Sequence, residues 1–377
     1  MAKMKEKTKF KWGQWIVFAS FLIIGGICGV LITQSFDLIE MNGGEVSIFT
    51  FAVGILLLYA AIFLQIIIHE LGHMLFGLMS GYKFSSFRIA NFMWINKGGK
   101  LEFKRMSLPG TGGQCLMAPP GTLKDNIPYK LYNLGGSVLN LATAILFFLI
   151  SIPLTAAPYL RLTLQMAAIM GLTYALVNGV PMHVGAVDND GYNAFSLGKD
   201  PQAVRSFWIQ LKVSELQTEG YRLKDMPKGW FELPSEEAML NSMNATIAVF
   251  ATNRLMDEHR FEEAAELIDR LLAMKSGIVG LHRIMMTCDR ICCELIGENR
   301  PEVLERLLTK AQLKTMKNMI TLIPVARTEY AMALIHRKDV RTAEKIKNTL
   351  LKAMAKYPYA GEISSELEIM EFIENKN

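Results

Sequence analysis

Apolar positions are not spread evenly along this chain. Residues 1–200 hold the long apolar runs, whereas residues 201–377 mix apolar and charged positions with helical periodicity. Four runs suffice to cross a bilayer as helices, which takes about 20 residues. The first, Trp15–Thr33, is ~28 Å long at helical rise. It is long for a signal peptide and no small-x-small cleavage site follows, so it reads as an uncleaved anchor. The second runs from Ile48 to about Met79, too long for one upright span. It must tilt, protrude or kink at Gly54, and Gly81 is its natural stop. The third is Leu134–Ile152 and the fourth Leu162–Val180.

The segment between the second and third spans has a different pattern. Residues 81–132 are amphipathic and basic. Phe84–Asn96 and Lys100–Ser107 flank Lys97-Gly98-Gly99, which predicts a β-hairpin. Leu108–Gly121, rich in Pro and Gly, is expected to be irregular. Beyond Pro201 three helix-to-helix junctions align, at Glu258-His259-Arg260-Phe261, Glu298-Asn299-Arg300-Pro301 and Arg337-Lys338-Asp339-Val340, roughly 40 residues apart. Each precedes a helix of similar pattern, which resembles degenerate tetratricopeptide-like hairpins; a plain helical bundle is the alternative. The expected fold is an all-α polytopic membrane protein, with about four transmembrane helices and a β-hairpin insertion in residues 1–200, followed by a cytosolic α-helical repeat domain over 201–377.

Charge sets the sidedness. Hydrophobic residues make up 51% of the chain and the net charge is +5. Lys3, Lys5, Lys7, Lys9 and Lys11 precede the first span, where the positive-inside rule explains them better than a nucleic-acid-binding arm. The 35–47 and 153–161 loops hold only Arg161 between them, while 81–132 and the chain after 181 are basic. The N-terminus and the C-terminal half are therefore both expected on the cytosolic side of a multi-pass cell-membrane protein, as four spans require. The lipid bilayer is one partner and nucleic acid is not. The five cysteines lack the spacing of a disulfide framework or zinc ribbon, and are expected as reduced thiols packed like small apolar groups. Cys288 and Cys292, four apart with His282 nearby, read as core rather than as a metal site. Cys115, alone in a loop, reads as inert.

The second run carries the chemistry. It contains His69-Glu70-Leu71-Gly72-His73. Residues four apart share a helix face, so His69 and His73 can offer two imidazole nitrogens to one metal ion, with Glu70 beside a metal-bound water. Three ionisable groups in an apolar span are costly unless they face a polar interior with partners, and a metal site accounts for all three. With residue 80 at the cytosolic boundary, His69 lies roughly 15 Å inside. A catalytic zinc needs a third protein ligand and one open position. His183, Asp188 and Asp190 are the candidates, just after the fourth span on the side toward which the histidines lie.

Three motifs resemble the site-2 protease family of intramembrane zinc metalloproteases. The His-Glu-x-x-His helix is the first. Gly136-Ser137-Val138-Leu139-Asn140 resembles the family's Gly-Pro-x-x-Asn, with Ser137 in place of proline. Asn178-x-x-Pro181 followed by Asp190-Gly191 resembles its Asn-x-x-Pro-x-Pro-x-Leu-Asp-Gly, with His183 where a second proline is expected and about four extra residues before the Asp-Gly. The resemblance spans roughly residues 48–200. It implies one zinc ion held by His69, His73 and Asp190 (chosen because Gly191 follows it, ahead of Asp188 and His183), with Glu70 as the general base. It implies a transmembrane protein or peptide as substrate, cut close to the cytosolic face. Asn140 and Asn178 are candidates for holding the substrate backbone or the oxyanion, and Asn140 fits an interhelical hydrogen bond equally well. The predicted hairpin can offer an edge strand to an unwound substrate. A cytosolic protein or peptide is a candidate partner of residues 201–377. The rivals are a non-catalytic membrane adaptor with a structural metal, closed by a fourth ligand such as His183, and a metal transporter.

Overall fold

The computed structural model describes residues 12–106, 108, 111–123, 127–184 and 187–376. The five lysines before the first span lie outside them. By internal contacts the chain divides into two units: Met1–Ser80, Pro128–Val184 and Asp188–Leu197 form one, and Gly81–Ile127, Gly185–Val187 and Gly198–Asn377 the other.

The first unit is a bundle of four long helices, α1 (Trp12–Met41), α2 (Ile48–Met79), α3 (Tyr129–Ser151) and α4 (Pro158–Gly179), followed by a short α5 (Asp190–Ser196). All four are long and apolar enough to cross a membrane. α2 coincides with its predicted apolar stretch, whereas α1, α3 and α4 begin before theirs. The first predicted span, 15–33, lies within α1, which runs on to Met41. There Ser35 is buried and donates to Gln165 of α4 at 2.9 Å, so the helix continues past the last apolar residues. Close approach of α2 and α3 depends on missing side chains. A Cβ on Gly72 would fall 2.3 Å from the Gly135 carbonyl oxygen, and one on Gly135 would fall 2.5 Å from that of Gly72. Helices in membranes associate through such small-residue contacts because apolar burial gives no drive between them in lipid. Glycine at 81, with φ +84°, ends α2.

The second unit contains a four-stranded antiparallel sheet rather than a two-stranded hairpin. Its strands are β1 (Lys83–Ile89), β2 (Phe92–Lys97), β3 (Lys100–Arg105) and β4 (Gly113–Ala118), in the order β3-β2-β1-β4. The β2–β3 turn follows the sequence signal: Gly98 and Gly99 both have positive φ, as a two-residue primed turn requires. The predicted first arm is split by a turn at Ala90, where φ is 52°. The turn is held by Arg88, which is 1% exposed and donates to the Ala90 carbonyl at 2.6 Å. Residues 113–118, expected to be irregular, form β4 against β1, with Cys115 buried opposite Phe87.

The rest of this unit is helical: α6 (Pro201–Glu219), α7 (Ser242–Asp257), α8 (Phe261–Ala273), α9 (Gly280–Ile296), α10 (Pro301–Leu307), α11 (Lys310–Asn318), α12 (Ile323–Ala331), α13 (Val340–Met354) and α14 (Ala360–Asn375). The sheet groups with these helices by packing: Met93 and Ile95 of β2 cluster with Tyr359, just before α14. The junctions before α8, α10 and α13 share one backbone feature. His259, Asn299 and Lys338, each two residues before the next helix, adopt positive φ of 58°, 55° and 53°. Cys288, Cys292 and Cys293 are buried in the apolar core of this unit, as the packing reading expects. Burial pushes the Cys288 thiol up to about 12 and the Cys292 thiol up to about 11, so both stay protonated.

Candidate metal centre

Gln65, His69 and His73 lie on one face of α2, spaced by four residues. All three are buried, as is Glu70 beside His69. Pro181 follows α4, and the chain turns back so that α5 begins at Asp190. Asn189 caps α5 and fixes that turn. Its side-chain oxygen accepts from the backbone N–H of Tyr192 at 2.9 Å and of Met182 at 3.0 Å, while its amide donates to the carbonyls of Val177 and Val180, both at 2.7 Å. Gly191 permits the approach, since a Cβ there would sit 2.3 Å from the Gly179 carbonyl oxygen.

Asp190 is thereby brought to both histidines. Its Oδ2 lies 3.1 Å from His69 Nε2 and 3.3 Å from His73 Nε2, and the two Nε2 atoms are 3.1 Å apart. Among the described residues these three form the group able to hold a metal ion, with ligand atoms all within 4.8 Å of one another. The other two candidates for third ligand are elsewhere engaged: Asp188 is hydrogen-bonded to His183 Nδ1, and the His183 side chain is 60% exposed.

The far side of each imidazole is also fixed. His73 Nδ1 lies 2.8 Å from the Tyr132 carbonyl oxygen, and His69 Nδ1 lies 2.7 Å from Asn140 Oδ1. A carbonyl oxygen can only accept, so the proton of His73 sits on Nδ1 and Nε2 carries a lone pair. For His69 the same holds if Asn140 turns its oxygen toward the ring. The amide nitrogen decides that: Asn140 Nδ2 faces two acceptors, the Gln65 carbonyl at 2.9 Å and Gln65 Oε1 at 2.7 Å. Gln65 is oriented in turn by donating through Nε2 to the Ala167 carbonyl of α4 at 2.9 Å. A relay of three side chains thus runs from α4 through α2 and α3 to His69.

Glycines make room for it. A Cβ on Gly136 would fall 2.5 Å from the His69 ring, and one on Gly171 would fall 2.8 Å from Gln65 Nε2. Asn140 is 0% exposed with both ends of its amide taken up inside the bundle, which is the interhelical arrangement. Asn178 donates to the Tyr174 carbonyl of its own helix at 3.1 Å.

The donor set fits a zinc ion. Four ligands about 2.0–2.1 Å from a tetrahedral zinc lie about 3.3–3.4 Å from one another, close to the separations found here. Two Nε2 lone pairs and a carboxylate oxygen, mutually about 3 Å apart, repel unless a proton or cation lies between them. Backing of each ligating imidazole by an outer acceptor is the usual arrangement at zinc.

Gln65 and Asn189 were not among the residues singled out from the sequence. A polar side chain in an apolar run, one helical turn before His69, was the available signal for Gln65. For Asn189 it was an Asn at a helix start. The model of Peptidase family M50 matches residues 57–356. No curated protein and no solved structure matches the chain.

Proposed function

The chain belongs to peptidase family M50, and from that premise we propose that it is an intramembrane zinc metalloprotease, hydrolysing a peptide bond in or near a transmembrane segment of a membrane protein or peptide precursor, close to the cytosolic face. The observation that carries this reading is the meeting of His69, His73 and Asp190 inside a helix bundle, with both Nδ1 atoms already occupied. These three residues would hold one zinc ion. When bound, zinc supplies an acidified water and polarises the scissile carbonyl. Glu70 would take a proton from the attacking water and pass it to the leaving amine. Asn140 holds the His69 tautomer and is a positioning residue, while Asn178 keeps the substrate-side role.

What favours catalysis over a structural metal is the engagement of His183. The fourth protein ligand of a closed site would have to come from such a residue, and His183 is bonded to Asp188 instead. The distribution of basic residues supports a cytosolic N-terminus and C-terminal half, the side from which water would reach the zinc. We read the C-terminal helices as tetratricopeptide-like hairpins that recruit or gate substrate. The shared left-handed residue at the three junctions supports this. The test is to purify wild type and Glu70→Gln, measure bound zinc, and assay cleavage of a model transmembrane substrate. Zinc in both and cleavage by wild type alone is expected. Equal cleavage by the two refutes Glu70 as the base, and absence of zinc from both refutes the site.

A further inference from the structure

The second unit encloses a cavity of about 450 Å³, a size typical of binding pockets, which run from roughly 300 to 1,000 Å³. Its walls are largely apolar, with Phe250, Met285, Leu322 and Ile369 among them. Four carboxylates also line it, and they are not equally neutralised. Asp257 pairs with Arg222 at 2.7 Å. Asp289 and Glu366 share Arg327, which is 1% exposed. Glu362 has no cationic partner among the described residues. Its Oε2 accepts from the Tyr357 hydroxyl at 2.6 Å and its Oε1 from the neutral amide of Gln217. Burial, reinforced by the charges of Glu366 and Asp257, pushes the Glu362 carboxyl up to about 7 despite the Tyr357 hydrogen bond. Arg105 and Lys356, the remaining lining cations, are both exposed.

The inner wall therefore carries more negative than positive charge, in apolar surroundings where an unpaired carboxylate is costly. A ligand that suits these walls brings a cation on an apolar stem. A peptide with lysine or arginine next to apolar residues has both the cation and the apolar surface. One source of such peptide is implied by the proposed reaction, on which this inference rests. By the positive-inside rule, the cytosolic end of a membrane-spanning substrate is an apolar run followed by Lys or Arg.

We propose that this cavity is the docking site for the cytosolic juxtamembrane segment of the substrate, with a Lys or Arg side chain paired to Glu362 and flanking apolar residues against the cavity walls. Docking raises the local concentration of substrate, so its loss is felt in KM rather than in kcat.

The test uses the full-length protein in phosphatidylcholine nanodiscs and a fluorescein-labelled peptide of leucines followed by lysines, with binding read by anisotropy. A peptide carrying glutamates in place of the lysines is the control. Wild type should bind the lysine peptide at least about tenfold more tightly than the glutamate peptide, and Glu362→Gln should remove roughly tenfold of that affinity. Met285→Trp, which fills the cavity, should abolish binding. Both variants should cleave a transmembrane substrate lacking a basic tail as wild type does, while KM for a basic-tailed substrate rises. Glu70→Gln should bind the peptide normally. Equal binding of the two peptides, or undiminished binding of the lysine peptide by Glu362→Gln or Met285→Trp, overturns the proposal. Selective binding by a protein that cleaves nothing would leave the docking site standing and remove the protease reading. Cleavage without selective binding would do the reverse.

Discussion

Gln65→Leu tests the relay behind His69. The substitution keeps the size and apolar character of the α2 face but removes the Oε1 acceptor 2.7 Å from Asn140 Nδ2 and the donor 2.9 Å from the Ala167 carbonyl. Stability should fall only modestly, because Asn140 Nδ2 retains the Gln65 carbonyl at 2.9 Å; interhelical hydrogen bonds in membrane bundles contribute ~0.6–2 kcal/mol. The larger consequence is for orientation. Asn140 turns its oxygen toward His69 because its nitrogen faces two acceptors. With one gone, the flipped amide becomes competitive. It presents N–H to His69 Nδ1, which moves the ring proton to Nε2 and removes the lone pair from the metal side. Loss of an outer partner of a ligating histidine typically costs ~10–100-fold in metal affinity, or about 1.4–2.7 kcal/mol. The assay is zinc competition against a chelator on purified protein, with thermal unfolding as a check on folding. Gln65→Glu, neutral when buried, can keep both the acceptor and the donor and should stay closer to wild type. Because Gln65→Leu and Asn140→Leu act on the same ring, their effects should be far from additive in a double-mutant cycle. A folded Gln65→Leu that holds zinc within about twofold of wild type would refute the relay.

Other outcomes follow from the same geometry. Asp190→Asn should lose zinc by at least about tenfold, while Asp188→Asn and His183→Ala retain it; chelator competition across the three variants checks this. Gly136→Ala puts a methyl 2.5 Å from the His69 ring and should both lower the melting temperature, by overpacking of ~1–3 kcal/mol, and weaken zinc binding. Glu362 should make stability pH-dependent. Its carboxyl rises from near 4.5 to about 7 on folding, so the folded protein binds the proton more tightly than the unfolded chain. The sign is a loss of stability as pH climbs from about 4.5 to about 7, amounting to roughly 1–3 kcal/mol, with no further loss above. Thermal unfolding of wild type should show that slope and Glu362→Gln should flatten it.

Much of this was legible because periodicity and cost leave few options. An apolar stretch with two histidines and a glutamate in it is expensive unless the three groups share a task, and the His69-Glu70-x-x-His73 spacing names the task. Asp190 was one candidate of three in sequence, separable only by the glycine after it. The hairpin reading failed where a turn depended on something distant: Ala90 takes a left-handed conformation with Arg88 bonded across it, and neither residue type advertises a turn. For the same reason 113–118 gave no strand signal, since its partner β1 is what makes it a strand. For Asn140 the sequence left a substrate contact and an interhelical hydrogen bond equally open, because its partners, Gln65 and His69, lie more than 70 residues away in sequence.

The sequence by itself determined the four apolar helices and the His-Glu-x-x-His motif within one of them, because side-chain hydrophobicity and the 3.6-residue period act locally along the chain. Tertiary structure alone decided which acid meets the histidines and which nitrogen of each ring faces inward. Both depend on backbone approaches, such as Gly191 on Gly179 and Gly136 on His69, between segments far apart in the chain. Hydrogen-bond direction passes through space from one helix to the next, so no local stretch of sequence contains it.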